Sequence, residues 1–255
     1  MPNSLFITAD DIGATLSIDK AVIDLIEKGV LNSISIFVNG CTDLSWVEKY
    51  LNKIRIGLHL TFSFGLPLTN INDSHIVNNC GFFNSPKKPT VASNNSIKES
   101  IENFLNNFNN SDYNSLFNES IAQYKKFCQL FSKDPDFICV HHDLDKCTTL
   151  QKVIKEAFPN NATRELLKND NDSGYMYLYD FLNTNQSYNE STKQIVSLLN
   201  RGIENIRTNN VEVVFHPAFI SSDLIEFSTY NLLREREYEI LMSEEISSLL
   251  NQKEI

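Results

Sequence analysis

The chain has 255 residues, 42% of them hydrophobic, with 17 Phe and 9 Tyr but only 8 Gly and 7 Pro, which excludes a linker-rich or collagenous polymer and allows a buried core. Thirty-two acidic against 22 basic residues give a net charge of -10, too little positive charge to release counterions from a nucleic-acid backbone; neutral or cationic ligands fit better. Five scattered cysteines, Cys41, Cys80, Cys128, Cys139 and Cys147, contain no CxxC pair, so neither a disulfide framework nor a thiolate zinc knuckle is expected.

Residues 6–14, "FITADDIGA", read as a strand ending in two aspartates and a turn-prone glycine. Strict alternation would send Asp10 and Asp11 to opposite faces. From Ser17, apolar residues recur at Ile18, Ala21, Val22, Leu25 and Ile26, a helical stripe with Ser17 as N-cap and Gly29 as the residue just past the end. A strand over 33–38, a short helix over 43–53 and a strand over 54–60 continue the alternation, which predicts a parallel sheet with crossover helices. Residues 69–120 are rich in Asn and Ser, with one amphipathic stretch, "IKESIENFLNNF"; they read as an insertion carrying a helix, or as a substrate lid. A helix over 115–131, a strand-like run over 135–145 up to its histidines and a helix over 149–158 follow. Then come "GYMYLYDFL" (174–182), a helix over 190–207, a strand over 211–216 and a charged helix from about Tyr230 to Leu250. No internal repeat or second domain is legible, so 1–255 reads as a single domain. No charged and apolar leader precedes Leu5, and no apolar stretch approaches the roughly 18 residues of a membrane span; a cytoplasmic protein is expected.

The polar residues fall at the strand ends. Strand one ends in Asp10 and Asp11, strand two in Asn39, strand three in His59, the strand after the insertion in His141 and His142, and a late one in His216; of five histidines only His75 lies elsewhere. The carboxyl ends of parallel strands form the ligand face of such folds, so this placement predicts a cluster of carboxylates and imidazoles. Taken singly, a histidine there is a hydrogen-bonded structural residue and an aspartate the N-cap of the next helix. Together, two imidazoles and a carboxylate match an open catalytic site for zinc or a similar divalent ion, with hydrolysis as the chemistry.

Four stretches carry a resemblance: "TADDIGATLSIDKAVIDLIEKGVLNSISIFVNG" (8–40), "IGLHLTFSFGLPLT" (56–69), "AQYKKFCQLFSKDPDFICVHH" (122–142) and "VVFHPAFISSD" (213–223). In this order they resemble the YdjC-like carbohydrate deacetylases, which include chitooligosaccharide deacetylase. The resemblance is weakest over 70–115 and 160–210. It implies an α/β, TIM-barrel-like (β/α) barrel of seven or eight parallel strands, with the Asn-rich insertion at about 70–115. It implies a hydrolase of carbohydrate metabolism that removes N-acetyl groups from amino sugars with one divalent ion, Zn or Mg. Carried over, Asp11, His59 and His141 become the metal ligands, Asp10 the general base, and His216 the second acid/base or oxyanion partner. Asn39, Arg164, His142 and Asp143 fall on the substrate side. The implied partner is a small amino-sugar substrate, with neither nucleic acid nor membrane; dimers occur in the family, which allows a homodimer.

One stretch departs from the pattern. The family commonly reads Asp-x-His-x-His on the motif around His141, whereas the period-two positions here are Cys139, His141 and Asp143, and Asp145 stands where another histidine is usual. Loss of the acid before His141 removes a group that would orient an imidazole; Asp143 could compensate, or Cys139 could ligate a softer metal. A non-catalytic sugar-binding or regulatory protein on a degenerate deacetylase scaffold is therefore the competing reading.

Overall fold

In the computed structural model, which describes residues 3–86, 102–164 and 173–251, the first strand, β1 (Leu5–Ile12), is buried almost throughout, as a central parallel strand covered on both faces must be. Helix α1 (Leu16–Glu27) returns along it, burying Ile18, Ala21, Val22 and Leu25. Its N-cap is Thr15 rather than Ser17: Thr15 is extended and its Oγ1 accepts from the Ile18 N–H at 3.3 Å, while Ser17 lies inside the first turn, 2.9 Å from Thr15 Oγ1. Gly29, at φ +77, takes the left-handed position that ends a helix and favours glycine.

Strand β2 (Ser33–Ile36) follows. The helix expected over 43–53 is instead a 3-10 segment, Ser45–Tyr50. Asp43 accepts from both the N–H and the hydroxyl of Ser45, each at 2.9 Å, a local side-chain turn that competes with an α-helical start. The remaining elements are β3 (Arg55–Leu60), α2 (Tyr113–Phe131), β4 (Ile138–Val140), α3 (Thr148–Ala157), β5 (Tyr175–Leu178), α4 (Tyr188–Asn205), β6 (Asn210–Phe215), α5 (Ser222–Phe227), α6 (Asn231–Leu241) and α7 (Glu244–Asn251). The single C-terminal helix expected from Tyr230 to Leu250 is thus two, broken where Ser243 Oγ accepts from the Ile246 N–H at 3.4 Å and starts α7.

The strands run in the order β4-β3-β2-β1-β6-β5, and the pairs β1–β2, β1–β6, β3–β4 and β5–β6 are all parallel. The α/β class with a parallel sheet is as expected; the strand count among the described residues is six, not seven or eight. Residues 70–86 make turns around one isolated bridge, Val77 to Phe83, and the apolar runs at 135–145 and 174–182 give strands of only three and four residues. Of "IKESIENFLNNF" only residues 102–108 are described, and they are helical; the rest of that expectation lies outside the described residues.

The chain forms two compact units, one of Met1–Ile36, Thr42–Ile56 and Leu167–Ile255, the other of Phe37–Cys41 and Gly57–Leu166. In the first, α4 lies so close to the sheet that a Cβ on Gly202 would be 3.0 Å from Leu5 and Val213. In the second, Gly57 admits the Phe137 ring, which a Cβ would meet at 2.4 Å. Among the described residues no helix is long and apolar enough to cross a membrane.

Candidate active site

In the first unit the site begins with a fault in the β1–β2 ladder. Thr8 pairs with Ser33 and Ala9 with Ile34, but the next pair is Ile12 with Ile36, so Asp10 and Asp11 together oppose Ser35 alone. This is a β-bulge, a device that re-aims side chains at a strand end. Asp11 carries it in the left-handed region, φ 70, an uncommon conformation for a non-glycine residue. Simple alternation therefore does not govern the pair, and both carboxylates are buried, at 3% and 0% exposure.

Each carboxylate has its own anchor. Asp10 Oδ1 accepts from Ser35 Oγ at 2.6 Å. Asp11 Oδ2 meets Arg234 Nη2 at 2.6 Å in a buried ion pair. The loop beyond them is held by Asp19: its Oδ1 accepts from the Gly13 N–H at 2.8 Å and its Oδ2 from Thr42 Oγ1 at 2.6 Å. Burial raises the Asp19 carboxyl above its ordinary range, against the pull of these hydrogen bonds.

Arg234 comes from α6 with Glu237, one turn on. Glu237 Oε2 accepts from the His216 N–H at 2.6 Å and Oε1 from Tyr230 Oη at 2.6 Å. Burial pushes the Glu237 carboxyl up to about 7, opposed by its two donors and by Arg234 and reinforced by the Asp11 charge. Tyr230 is raised in turn, by burial first and the Glu237 charge second, so it acts as a neutral donor; its oxygen also accepts from the Leu182 N–H at 2.8 Å. The His216 ring, just past β6, packs between Tyr179 (5.4 Å, 65°) and Phe181 (5.8 Å, 27°).

The second unit holds the imidazoles. His59 ends β3 and His141 follows β4; both are buried, with centroids 5.4 Å apart and rings at 74°. Phe37 stacks on His59 at 4.8 Å and meets His141 edge-on at 5.0 Å, fixing both planes. Cys139, paired with His59 across the ladder, brings its Sγ to 2.9 Å from His59 Nδ1. A buried thiol thus engages one ring nitrogen of His59. The loop after β3 is tied down from α2: Gln123 bonds the backbone N–H and carbonyl of Thr61, and Glu119 accepts from the N–H groups of Leu68 and Thr69.

The other expected site residues sit in this unit as well. His142, at φ 60, places its Nδ1 2.9 Å from Ser63 Oγ. The Asn39 amide donates to the carbonyls of Phe64 and Leu66, so it shapes a loop. Arg164 is buried with its guanidinium 5.4 Å over the Phe137 ring. Asp143 lies in the 3-10 turn His141–Lys146, but its side chain, like that of Asp145, falls outside the described residues. Sequence reading missed Ser35, Arg234, Glu237 and Tyr230. A signal existed for two of them: Leu233, Arg234, Glu237, Ile240 and Leu241 form the buried stripe of α6, so an arginine and a glutamate occupy core positions of a helical pattern.

A parallel α/β chain that carries buried carboxylates and imidazoles at strand ends belongs to the class of proteins whose chemistry sits at the carboxyl ends of the sheet. The particular family follows from comparison: the chain belongs to the family described as YdjC-like protein, whose sequence model matches residues 4–252. A carbohydrate deacetylase of Clostridium beijerinckii is 26% identical over 257 residues, covering 98% of this chain and 96% of the relative. A chitooligosaccharide deacetylase of Proteus mirabilis is 23% identical over 99% of this chain and 96% of its own length. A crystal structure from Enterococcus faecalis, of a protein assigned provisionally to cellobiose-phosphate cleavage, shares the fold with a TM-score of 0.73 at 24% identity, covering 99% of this chain and 95% of that one.

Proposed function

We propose that the protein is a metal-dependent carbohydrate N-deacetylase that hydrolyses the acetamide of a small amino sugar, oligosaccharide or sugar conjugate to acetate and a free amine. The observation that carries this reading is the β1 bulge, where two adjacent buried carboxylates are held by different partners, Ser35 and Arg234. Membership of the YdjC-like family, with relatives named as carbohydrate deacetylases over nearly their whole length, supports the substrate class. The reading as a degenerate sugar-binding protein is not favoured, because both carboxylates and the imidazoles of His59, His141 and His216 are present.

Asp11, His59 and His141 are assigned to one divalent ion. The donor set fits: one carboxylate and two imidazoles match an open catalytic site with room for water and substrate, zinc being the ion this set favours and magnesium the alternative. His59 has its Nδ1 engaged by Cys139, so Nε2 is the atom through which it would hold an ion. When bound, such an ion supplies Lewis acidity toward the acetamide carbonyl and the attacking water. Asp10, oriented by Ser35, takes the proton of that water. His216, its backbone held by Glu237, gives a proton to the departing nitrogen, which leaves poorly as an anion. Arg164, His142 and Asp143 belong to the substrate side, and Asn39 contributes there by holding the turn at 64–66. The free cysteines suit a reducing, cytoplasmic setting.

The test is acetate release from N,N′-diacetylchitobiose and a wider panel of N-acetylated sugars by protein loaded with zinc or magnesium. Asp10→Asn is expected to lower turnover by about 100-fold or more, as loss of a general base does, while the ion stays bound. No release from any N-acetyl sugar by ion-loaded protein would sink the reading.

A further inference from the structure

Phe181 is an oddity beside the proposed acid. It lies three residues past β5, is 53% exposed, and its ring runs nearly parallel to the His216 imidazole, 27° at 5.8 Å. Two further rings brace it edge-on, Tyr179 at 4.5 Å and Tyr230 at 4.9 Å. Tyr230 is itself immobilised at its hydroxyl, which donates to Glu237 and accepts from the Leu182 N–H next to Phe181. A large apolar ring is therefore packed among three others in partial exposure, beside the residue assigned above to the leaving amine.

We propose that Phe181, braced by Tyr179 and Tyr230, is the stacking platform for the pyranose ring whose acetamide is cleaved. This rests on the deacetylase reading given above. The C–H bonds of a gluco-configured β-pyranose project from its two faces while its hydroxyls lie around the rim, so each face is apolar and matches an aromatic ring. Because the platform is already ordered, little side-chain entropy is lost when the sugar docks.

The experiment measures binding of N,N′-diacetylchitobiose to the zinc-loaded full-length protein by calorimetry, and the steady-state kinetics of its deacetylation. Phe181→Ala is expected to weaken chitobiose binding roughly tenfold, in line with the worth of an aromatic contact. The kinetic loss should be carried mainly by KM. Phe181→Trp is expected to keep the affinity. Phe181→Leu, which retains apolar bulk without a π face, should behave as the alanine variant does and guards against a simple folding defect. Chitobiose binding by Phe181→Ala equal to that of the unmodified protein would overturn the proposal. Absence of acetate release by the unmodified protein would instead overturn the deacetylase reading on which it rests.

Discussion

Arg234 Nη2 lies 2.6 Å from Asp11 Oδ2, and the two side chains are 5% and 0% exposed. An ion pair so buried is costly to break from one side, because the surviving charge is left in a low-dielectric setting without its partner. The same guanidinium bonds the His216 carbonyl at 3.4 Å, so α6 ties the end of β1 to the end of β6. Arg234→Met is expected to lower stability by roughly 3–5 kcal/mol, measured by denaturant unfolding. Arg234→Lys, which keeps the charge but not the fork of donors, should lie between the two. A loss below about 1 kcal/mol, no more than a surface pair contributes, would show that the pair is not maintained in solution.

Glu237 gives a pH dependence with a defined sign. Its carboxyl is raised from 4.5 to about 7 by burial, so between those values the folded state binds more protons than the unfolded one. The associated stability is fully present below about pH 4.5 and is lost as pH rises through about 7. Glu237→Gln removes the titration. The stability difference between wild type and this variant should therefore change across pH 4.5–7 in the direction of a wild type losing ground as pH rises. A difference that stays flat over that window would contradict the assignment.

Cys139 engages His59 Nδ1 through its sulfur. A group that fixes a ligating imidazole affects metal affinity by about 10–100-fold. Cys139→Ala should show such a loss in a competition titration with a chromogenic chelator, whereas Cys139→Ser, which keeps a hydrogen-bonding atom, should recover part of it. Cobalt substitution adds a second readout: a strong sulfur-to-cobalt charge-transfer band would make Cys139 a direct ligand rather than a positioning residue.

Gly57 tests the packing under the imidazoles. A Cβ there would lie 2.4 Å from the Phe137 ring, a distance that forces movement of a fully buried side chain. Gly57→Ala is expected to cost about 1–3 kcal/mol by overpacking, seen as a lowered unfolding midpoint. An unchanged midpoint would mean that Phe137 rotates away freely.

Much of this protein is legible along the chain. The apolar periodicities place β1, α1, β3, α2 and β6 within a few residues, because each buries a continuous face and that burial is written as spacing. The same applies to the polar residues at strand ends, since a parallel strand delivers its last residues to one side whatever its neighbours are. The extents of β4 and β5, by contrast, depend on which partner each strand finds, and the apolar runs overstate them.

The spacing along the chain is enough to put Asp10, Asp11, His59, His141 and His216 at strand ends and to show the order of motifs of the family. How these side chains are held depends on the packing of distant segments. The bulge opposite Ser35 arises from the register between two strands, which adjacent residues cannot encode alone. Arg234 and Glu237 reach Asp11 and His216 from more than 200 and 20 residues away along the chain, respectively, and such pairings exist only once α6 has packed. The opposite faces that strict alternation predicts for Asp10 and Asp11 give way to a bulge, in which one carboxylate is held by a serine on β2 and the other by an arginine on α6.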